Sequence, residues 1–207
     1  MKVGILTPIL KKKKDPKNPA GYRGITILLI SEKIFEKVWL SKCKPLLDAR
    51  HNKMQRGFTE NTSSINTGLL LTEFKNESKE KKTPVFAVTL DGQRALDEVW
   101  KQALMRKMYF TKIPYRYWDI LNQLYQNATT HVNWNREITE PFELHQGVRQ
   151  SEIFSSHLYK QFNNDLLDLI EDQELAANIG HIKIPAQTCT DDICCITDNP
   201  VDLQTCF

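Results

Sequence analysis

Two adjacent aspartates, Asp191 and Asp192, stand between short β-prone runs, Thr188-Cys189-Thr190 before them and Ile193-Cys194-Cys195-Ile196 after. Neighbouring side chains on a regular strand point to opposite faces, so a pair inside a strand would turn one charge the wrong way. A tight turn between two strands removes that conflict. It brings both carboxylates to a hairpin tip, where a hard divalent cation can hold charges that otherwise repel. A merely hydrophilic turn would account for an isolated pair. A third carboxylate argues for more: Asp91 directly follows the strand-like run Val85-Phe86-Ala87-Val88-Thr89-Leu90 and so also lies at a strand end. Three carboxylates placed in this way are what phosphoryl transfer on two metal ions requires.

The elements that must position them follow from local patterns. Ile25 to Ile30 reads as a strand, and Ser31 as the cap of a helix whose apolar stripe is Ile34, Phe35, Val38, Trp39, Cys43, Leu46 and Leu47. That stripe is expected to be core. A second helix is predicted from about Ser64 to Asn76 with Ile65, Leu69 and Leu70 inward, followed by a polar surface loop over Lys75 to Lys82. Asp97 is expected to cap a helix containing Trp100, Leu104 and Met108. Pro114 starts another, with Trp118, Leu121, Leu124 and Tyr125 packing beneath a sheet. Residues 130–144 read as a hairpin turning at Asn135-Arg136, and a helix with Leu158, Phe162, Leu166 and Ile170 follows. His181 to Ile184 is expected as the first arm of the Asp191–Asp192 hairpin, Ile193 to Ile196 as the second, and a last helix begins after Asn199-Pro200.

Five segments, in order, resemble the reverse transcriptase of non-LTR (LINE-type) retrotransposons. The stretch from Asp15-Pro16-Lys17-Asn18 through Tyr22-Arg23-Gly24-Ile25-Thr26 is similar to that family's NYRPIT segment, and Gln55-Arg56-Gly57-Phe58-Thr59 to its QFGFR. Leu90-Asp91 through Asp97-Glu98-Val99-Trp100 looks like LDxxKAFDxVW, Gly147-Val148-Arg149-Gln150 like GVRQG, and Cys189-Thr190-Asp191-Asp192 stands where the family has YADD or FADD. The resemblance implies an α+β polymerase right-hand fold of fingers plus palm, an antiparallel palm sheet packed on helices, with the thumb missing. It implies a basic, fingers-like part at 1–83 and a palm-like catalytic part at 84–207, incomplete at its C-terminus. The implied function is RNA-directed DNA polymerase, a nucleotidyltransferase extending a primer 3′-hydroxyl.

On the same resemblance, Asp91, Asp191 and Asp192 are the catalytic and metal-binding residues, with two Mg²⁺ ions as cofactors for which Mn²⁺ substitutes. Arg23 is expected toward the triphosphate, since its guanidinium offers a planar fork matched to phosphate oxygens, and Lys13, in the basic run before it, toward template or nucleotide. Leu96 stands where an aromatic lies under the sugar of the incoming nucleotide, and Gly147 and Gln150 belong to the loop that touches template and nascent base pair. The implied partners are an RNA template, a DNA primer and deoxynucleoside triphosphates; the sequence identifies no protein partner. Several positions depart from the family: Gly24 replaces a proline, Ser151 a glycine, Ser156 a proline, and Cys189 and Thr190 an aromatic and an alanine. Leu96, Ser151, Ser156, Cys189 and Thr190, together with the missing thumb, support an alternative, a catalytically silent retroelement remnant with at most weak nucleic-acid binding.

Composition agrees with a folded, nucleic-acid-facing chain. Apolar residues make up 41% of the 207, enough for a core. Residues 1–50 carry 12 Lys and Arg against 4 Asp and Glu, including Lys11 to Lys14, whereas residues 151–207 carry 2 against 10. A basic end suits a phosphate backbone and an acidic end suits metal ions, although solvated surface charge would produce the same asymmetry. The five cysteines, at 43, 189, 194, 195 and 206, form no C-x-x-C pair, so neither a zinc site nor a disulfide framework is expected. No run reaches the apolar length of a membrane span, and Met1 to Leu10 lacks the order of a signal peptide. The expectation is a protein that is not secreted, in the nucleus or cytoplasm.

Overall fold

The computed structural model describes residues 3–173 and 177–205. In chain order the elements are β1 (Val3–Leu10), β2 (Tyr22–Ile27), α1 (Ile30–Asp48), α2 (Ser64–Lys81), β3 (Phe86–Asp91), α3 (Lys101–Phe110), α4 (Tyr115–Tyr125) and β4 (Thr129–Trp134). They continue with β5 (Glu137–Ile138), β6 (Phe142–Glu143), α5 (Ser155–Asp172), β7 (Asn178–Ile179), β8 (Ile182–Lys183), β9 (Ala186–Cys189), β10 (Asp192–Thr197) and α6 (Pro200–Thr205).

The chain forms two compact units, one of Met1–Arg50 with Leu96–Phe162, the other of His51–Ala95 with Asn163–Phe207. The expected boundary between 83 and 84 therefore falls inside the second unit. Strand pairing is the reason: β4 pairs in parallel with β1, from Val3 opposite Thr129 to Leu6 opposite Val132, and β10 pairs with β3.

In the first unit the sheet order is β2-β1-β4-β5, with β6 also on β4. The hairpin at Asn135-Arg136 is as expected, and both residues take positive φ, 51° and 72°, as a two-residue turn of this kind demands. Helix α1 starts one residue before the anticipated cap. Ser31 lies inside it, and the Glu32 carboxylate caps instead, accepting from Leu29 N at 3.3 Å. The expected apolar stripe is only half right. Trp39, Cys43 and Leu47 are buried together with Glu32 and Glu36, whereas Ile34 and Val38 are 61% and 56% exposed. Trp39 meets the ring of Phe154 edge-on at 5.4 Å, and Leu121 and Tyr125 of α4 are buried.

In the second unit the sheet order is β3-β10-β9. Ile193, Cys195, Ala186 and Met54 pack with Leu167 and Ile170 of α5, and a second cluster joins Phe74 to Ile184 and Ile196. Helix α2 runs through the lysine-rich stretch expected as a loop, because it buries Phe74 and Ser78 on one side and pairs Lys81 with Glu77 at 2.5 Å on the other. Ile65 and Leu69, expected inward, are 80% and 57% exposed. Residues 182–183 pair with β7 in a small hairpin of their own, so the first arm of the Asp191–Asp192 hairpin is β9.

Cys43, Cys189, Cys194 and Cys195 are free thiols; Cys206 and the start of the Met1 to Leu10 run lie outside the described residues. Among the described residues no helix is long and apolar enough to cross a membrane.

Candidate active site

The β3–β10 register decides the site. Asp192 is the direct partner of Asp91, and Ile193 of Leu90. Directly opposed residues share a face, so the two carboxylates stand side by side at the sheet's solvent end while Ile193 and Leu90 point to the core. Alternating burial along β3 shows the same pattern, with Phe86, Val88 and Leu90 half-buried and Ala87, Thr89 and Asp91 exposed.

Asp191 arrives by a different route. Cys189 and Asp192 are paired, leaving Thr190 and Asp191 as a two-residue turn. Thr190 takes φ +66°, left-handed backbone that a β-branched residue rarely adopts. This turn points Asp191 toward the end of β3, where a Cβ placed on Gly92 would lie 3.6 Å from the Asp191 Cβ. Partial desolvation first, and then the charges of Asp191 and Asp91, push the Asp192 carboxyl above its ordinary value. Three hard oxygen ligands crowding one another at a sheet end fit a divalent cation by charge and by donor type. Among the described residues no three His, Cys, Asp or Glu side chains are already grouped so as to hold a metal ion.

The segment Met54 to Gly57, of which Gln55 to Gly57 belong to the QFGFR-like stretch given no role in the family resemblance, lies against this turn. Arg56 N donates to Thr188 O at 2.9 Å and Thr188 N to Met54 O at 3.2 Å. The Gln55 side chain donates to Thr190 O at 2.8 Å and accepts from Thr190 N and Gly57 N, each at 2.9 Å. The signal that could have found it is a glutamine in an otherwise strand-like, turn-flanked segment: buried, its amide must be satisfied by something specific.

The remaining expected site residues lie in the first unit. Arg23 is exposed on β2 opposite Ile9. Lys13 is exposed in the turn after β1, with φ +62°. Leu96, Gly147 and Gln150 are brought together. Val148 N donates to Leu96 O and Gly147 N to Val99 O, both at 2.8 Å. Gly147 has φ +87°, and a Cβ there would lie 2.7 Å from Asp97 O, so glycine is required on both counts. Asp97 does not cap a helix: α3 begins at Lys101, after Trp100. Its carboxylate instead accepts from Gln150 Nε2 at 2.9 Å. The hydroxyl of Ser151, which stands where the family has a glycine, donates to Thr26 O of β2, and the Ser151 carbonyl accepts from Lys33.

A buried polar cluster in the same unit escaped the sequence reading altogether. Arg149 Nε lies 3.3 Å from Glu152 Oε1, the Tyr125 hydroxyl donates to Glu152, and Ile153 N donates to Glu36 at 2.7 Å. Burial outweighs the guanidinium and raises the Glu152 carboxyl to about 7. The Tyr125 phenol is pushed well above its ordinary range, by burial first and by Glu152 next.

Comparison with known proteins bears on the family and the fold. The chain is 22% identical over 201 residues to the retrovirus-related Pol polyprotein from type-1 retrotransposable element R2 of Popillia japonica, which covers 96% of this chain and 28% of that one. It is 25% identical over 167 residues to the probable RNA-directed DNA polymerase from transposon BS of Drosophila melanogaster, covering 80% of this chain and 18% of that one. It thus spans under a third of the length of either. Among solved structures it resembles apo telomerase from Candida tropicalis truncated from its C-terminal domain, with a TM-score of 0.67, 15% identity and 98% and 45% of the two chains covered. It also resembles telomerase from Candida albicans, solved in complex with a fragment of telomeric RNA, with a TM-score of 0.68, 11% identity and 99% and 39% covered. The fold is the α+β right-hand polymerase fold of these enzymes. The family described as reverse transcriptase (RNA-dependent DNA polymerase) matches residues 10–207, and the chain belongs to it.

Proposed function

We propose that the chain is the nucleotidyl-transfer part of a retroelement reverse transcriptase, extending a DNA primer along an RNA template with deoxynucleoside triphosphates. The observation that carries this reading is the register that opposes Asp91 and Asp192 and turns Asp191 in beside them. Asp91 and Asp191 would hold two Mg²⁺ ions, or Mn²⁺ in their place, with Asp192 adding charge. When bound, the ions supply the Lewis-acid charge that eases loss of the primer 3′-hydroxyl proton and neutralises the departing pyrophosphate.

The primer oxygen attacks the α-phosphorus of the triphosphate, a P–O bond forms, the α–β bridging bond breaks, and pyrophosphate leaves in line. The protein forms no covalent bond in this step; its residues position and neutralise. Arg23 and Lys13 would contact phosphate, Leu96 would support the incoming sugar, and Gly147 and Gln150 would border the nascent pair. With leucine where an aromatic ring is usual, discrimination against a 2′-hydroxyl is reduced. The deciding experiment is primer extension on an RNA template by the purified chain with Mg²⁺ or Mn²⁺, beside Asp191→Asn. Extension by the parent alone supports the assignment. Extension by both sinks it, and extension by neither from folded protein leaves the silent remnant.

A further inference from the structure

Thr190 sits in left-handed backbone, and one side chain engages both of its peptide groups. Gln55 is 1% exposed. Its Nε2 donates to Thr190 O at 2.8 Å and its Oε1 accepts from Thr190 N at 2.9 Å. The same oxygen accepts from Gly57 N at 2.9 Å. The two planes that define φ and ψ of Thr190 are thus tied to one rigid amide. The amide is itself held. Segment 54–56 pairs in parallel with Thr188 of β9, and the Gln55 carbonyl is met by His51 Nε2 at 2.9 Å and the Thr59 hydroxyl at 3.0 Å. Gly57 closes the other side, since a Cβ there would lie 2.1 Å from Thr190 N.

A two-residue turn with a left-handed first position is normally assigned to glycine, asparagine or aspartate. Here a β-branched residue fills it, and the conformation is imposed from outside. The ψ of Thr190 sets the direction in which Asp191 leaves the turn, and so where its carboxylate stands relative to Asp192 and Asp91. We propose that Gln55 is a positioning residue of the nucleotidyl-transfer site: its amide holds the Thr190 peptide and thereby the placement of Asp191. This rests on the three aspartates being the metal site. Gln55 touches neither substrate nor metal; it acts through the turn.

The test uses the full chain and two readouts, neither of them activity. Hydrogen exchange in metal-free buffer should show the Thr190 and Gly57 amides protected in the parent and exchanging about tenfold faster in Gln55→Met, with Ile193 and Cys195 of β10 unchanged. Titration with Mn²⁺ followed by electron paramagnetic resonance should show affinity weakened roughly tenfold to a hundredfold in Gln55→Met, the usual range for groups that orient metal ligands. Adding Thr190→Gly, which accepts the left-handed φ unaided, should bring Mn²⁺ affinity back to within about threefold of the parent. A Gln55 that served only to fill the core would leave the double variant as weak as the single one. Parental affinity in Gln55→Met, or loss of β10 protection in both the single and the double variant, overturns the proposal. Asp191→Asn separates the two claims: unchanged Mn²⁺ binding there sinks the metal-site reading itself, whereas lost binding beside an unaffected Gln55→Met sinks only the positioning role.

Discussion

Asp192 and Asp91 face each other directly across β10 and β3, two like charges on one exposed face with Asp191 beside them. Partial desolvation first, and then the charges of Asp191 and Asp91, hold the Asp192 carboxyl above its ordinary value. The folded state thus binds that proton more tightly than the unfolded one, and stability falls as pH rises from about 4 through the raised value. In metal-free buffer at neutral pH, Asp192→Asn is expected to raise the melting temperature slightly. Mn²⁺ should raise it in the parent and much less in the variant. A calorimetric series at pH 4 and pH 7, with and without the ion, checks both; equal metal responses would contradict the arrangement.

Glu152 carries the larger pH effect. Its carboxyl is raised from 4.5 to about 7 by burial against the pull of Arg149. The stability lost as pH climbs from below 4.5 to above 7 is on the order of 3 kcal/mol. Glu152→Gln keeps an acceptor for Tyr125 and Arg149 without the titrating proton. Urea denaturation across pH 4 to 8 is expected to give a flatter profile in the variant, and higher stability than the parent at pH 8.

Two glycines should respond oppositely to alanine. Gly57→Ala forces a Cβ onto the Thr190 backbone and is expected to cost about 1–3 kcal/mol. Gly68, inside α2 with nothing within 4 Å of its would-be Cβ, should gain about 0.5–1 kcal/mol from the same change through helix propensity. Denaturant midpoints for the pair give the comparison.

The bond between Gln150 and Asp97 makes a further prediction. An aspartate acting as a helix cap would cost about 1 kcal/mol on truncation whatever occupied position 150. A carboxylate tied to Gln150 instead gives non-additive losses: in a cycle of Asp97→Ala, Gln150→Ala and the double variant, a coupling of about 0.5–1.5 kcal/mol is expected. Additive losses would restore the cap.

What the sequence made legible was local. A strand ending in Asp91, a turn at Asp191 and a hairpin at Asn135-Arg136 are each written within a few residues, and each is present. What it hid was pairing at a distance and the choice between faces. Nothing near Val3–Leu10 says that its partner is Thr129–Trp134, so β1 went unread. In α1 the stripe of Trp39 and Cys43 continues toward Glu32 and Glu36 because those carboxylates find partners inside, which periodicity of apolar residues does not register. The lysines of α2 suggested a loop because charge was read as irregularity, yet a helix that buries only one narrow side is free to be charged on the rest. Gln55 was in view as part of a motif, but its task depends on Thr190, 135 residues away.

The parallel pairing of β1 with β4 also has a consequence during synthesis. Strand β2 follows β1 closely and covers one of its edges, but the other edge waits for Thr129 to leave the ribosome. At ~5–20 residues per second that is on the order of ten seconds, during which an unpaired edge stays open to pairing with another chain. Lys11 to Lys14, immediately past the end of β1, place four like charges beside that open edge, and nascent copies repel one another there for as long as the wait lasts.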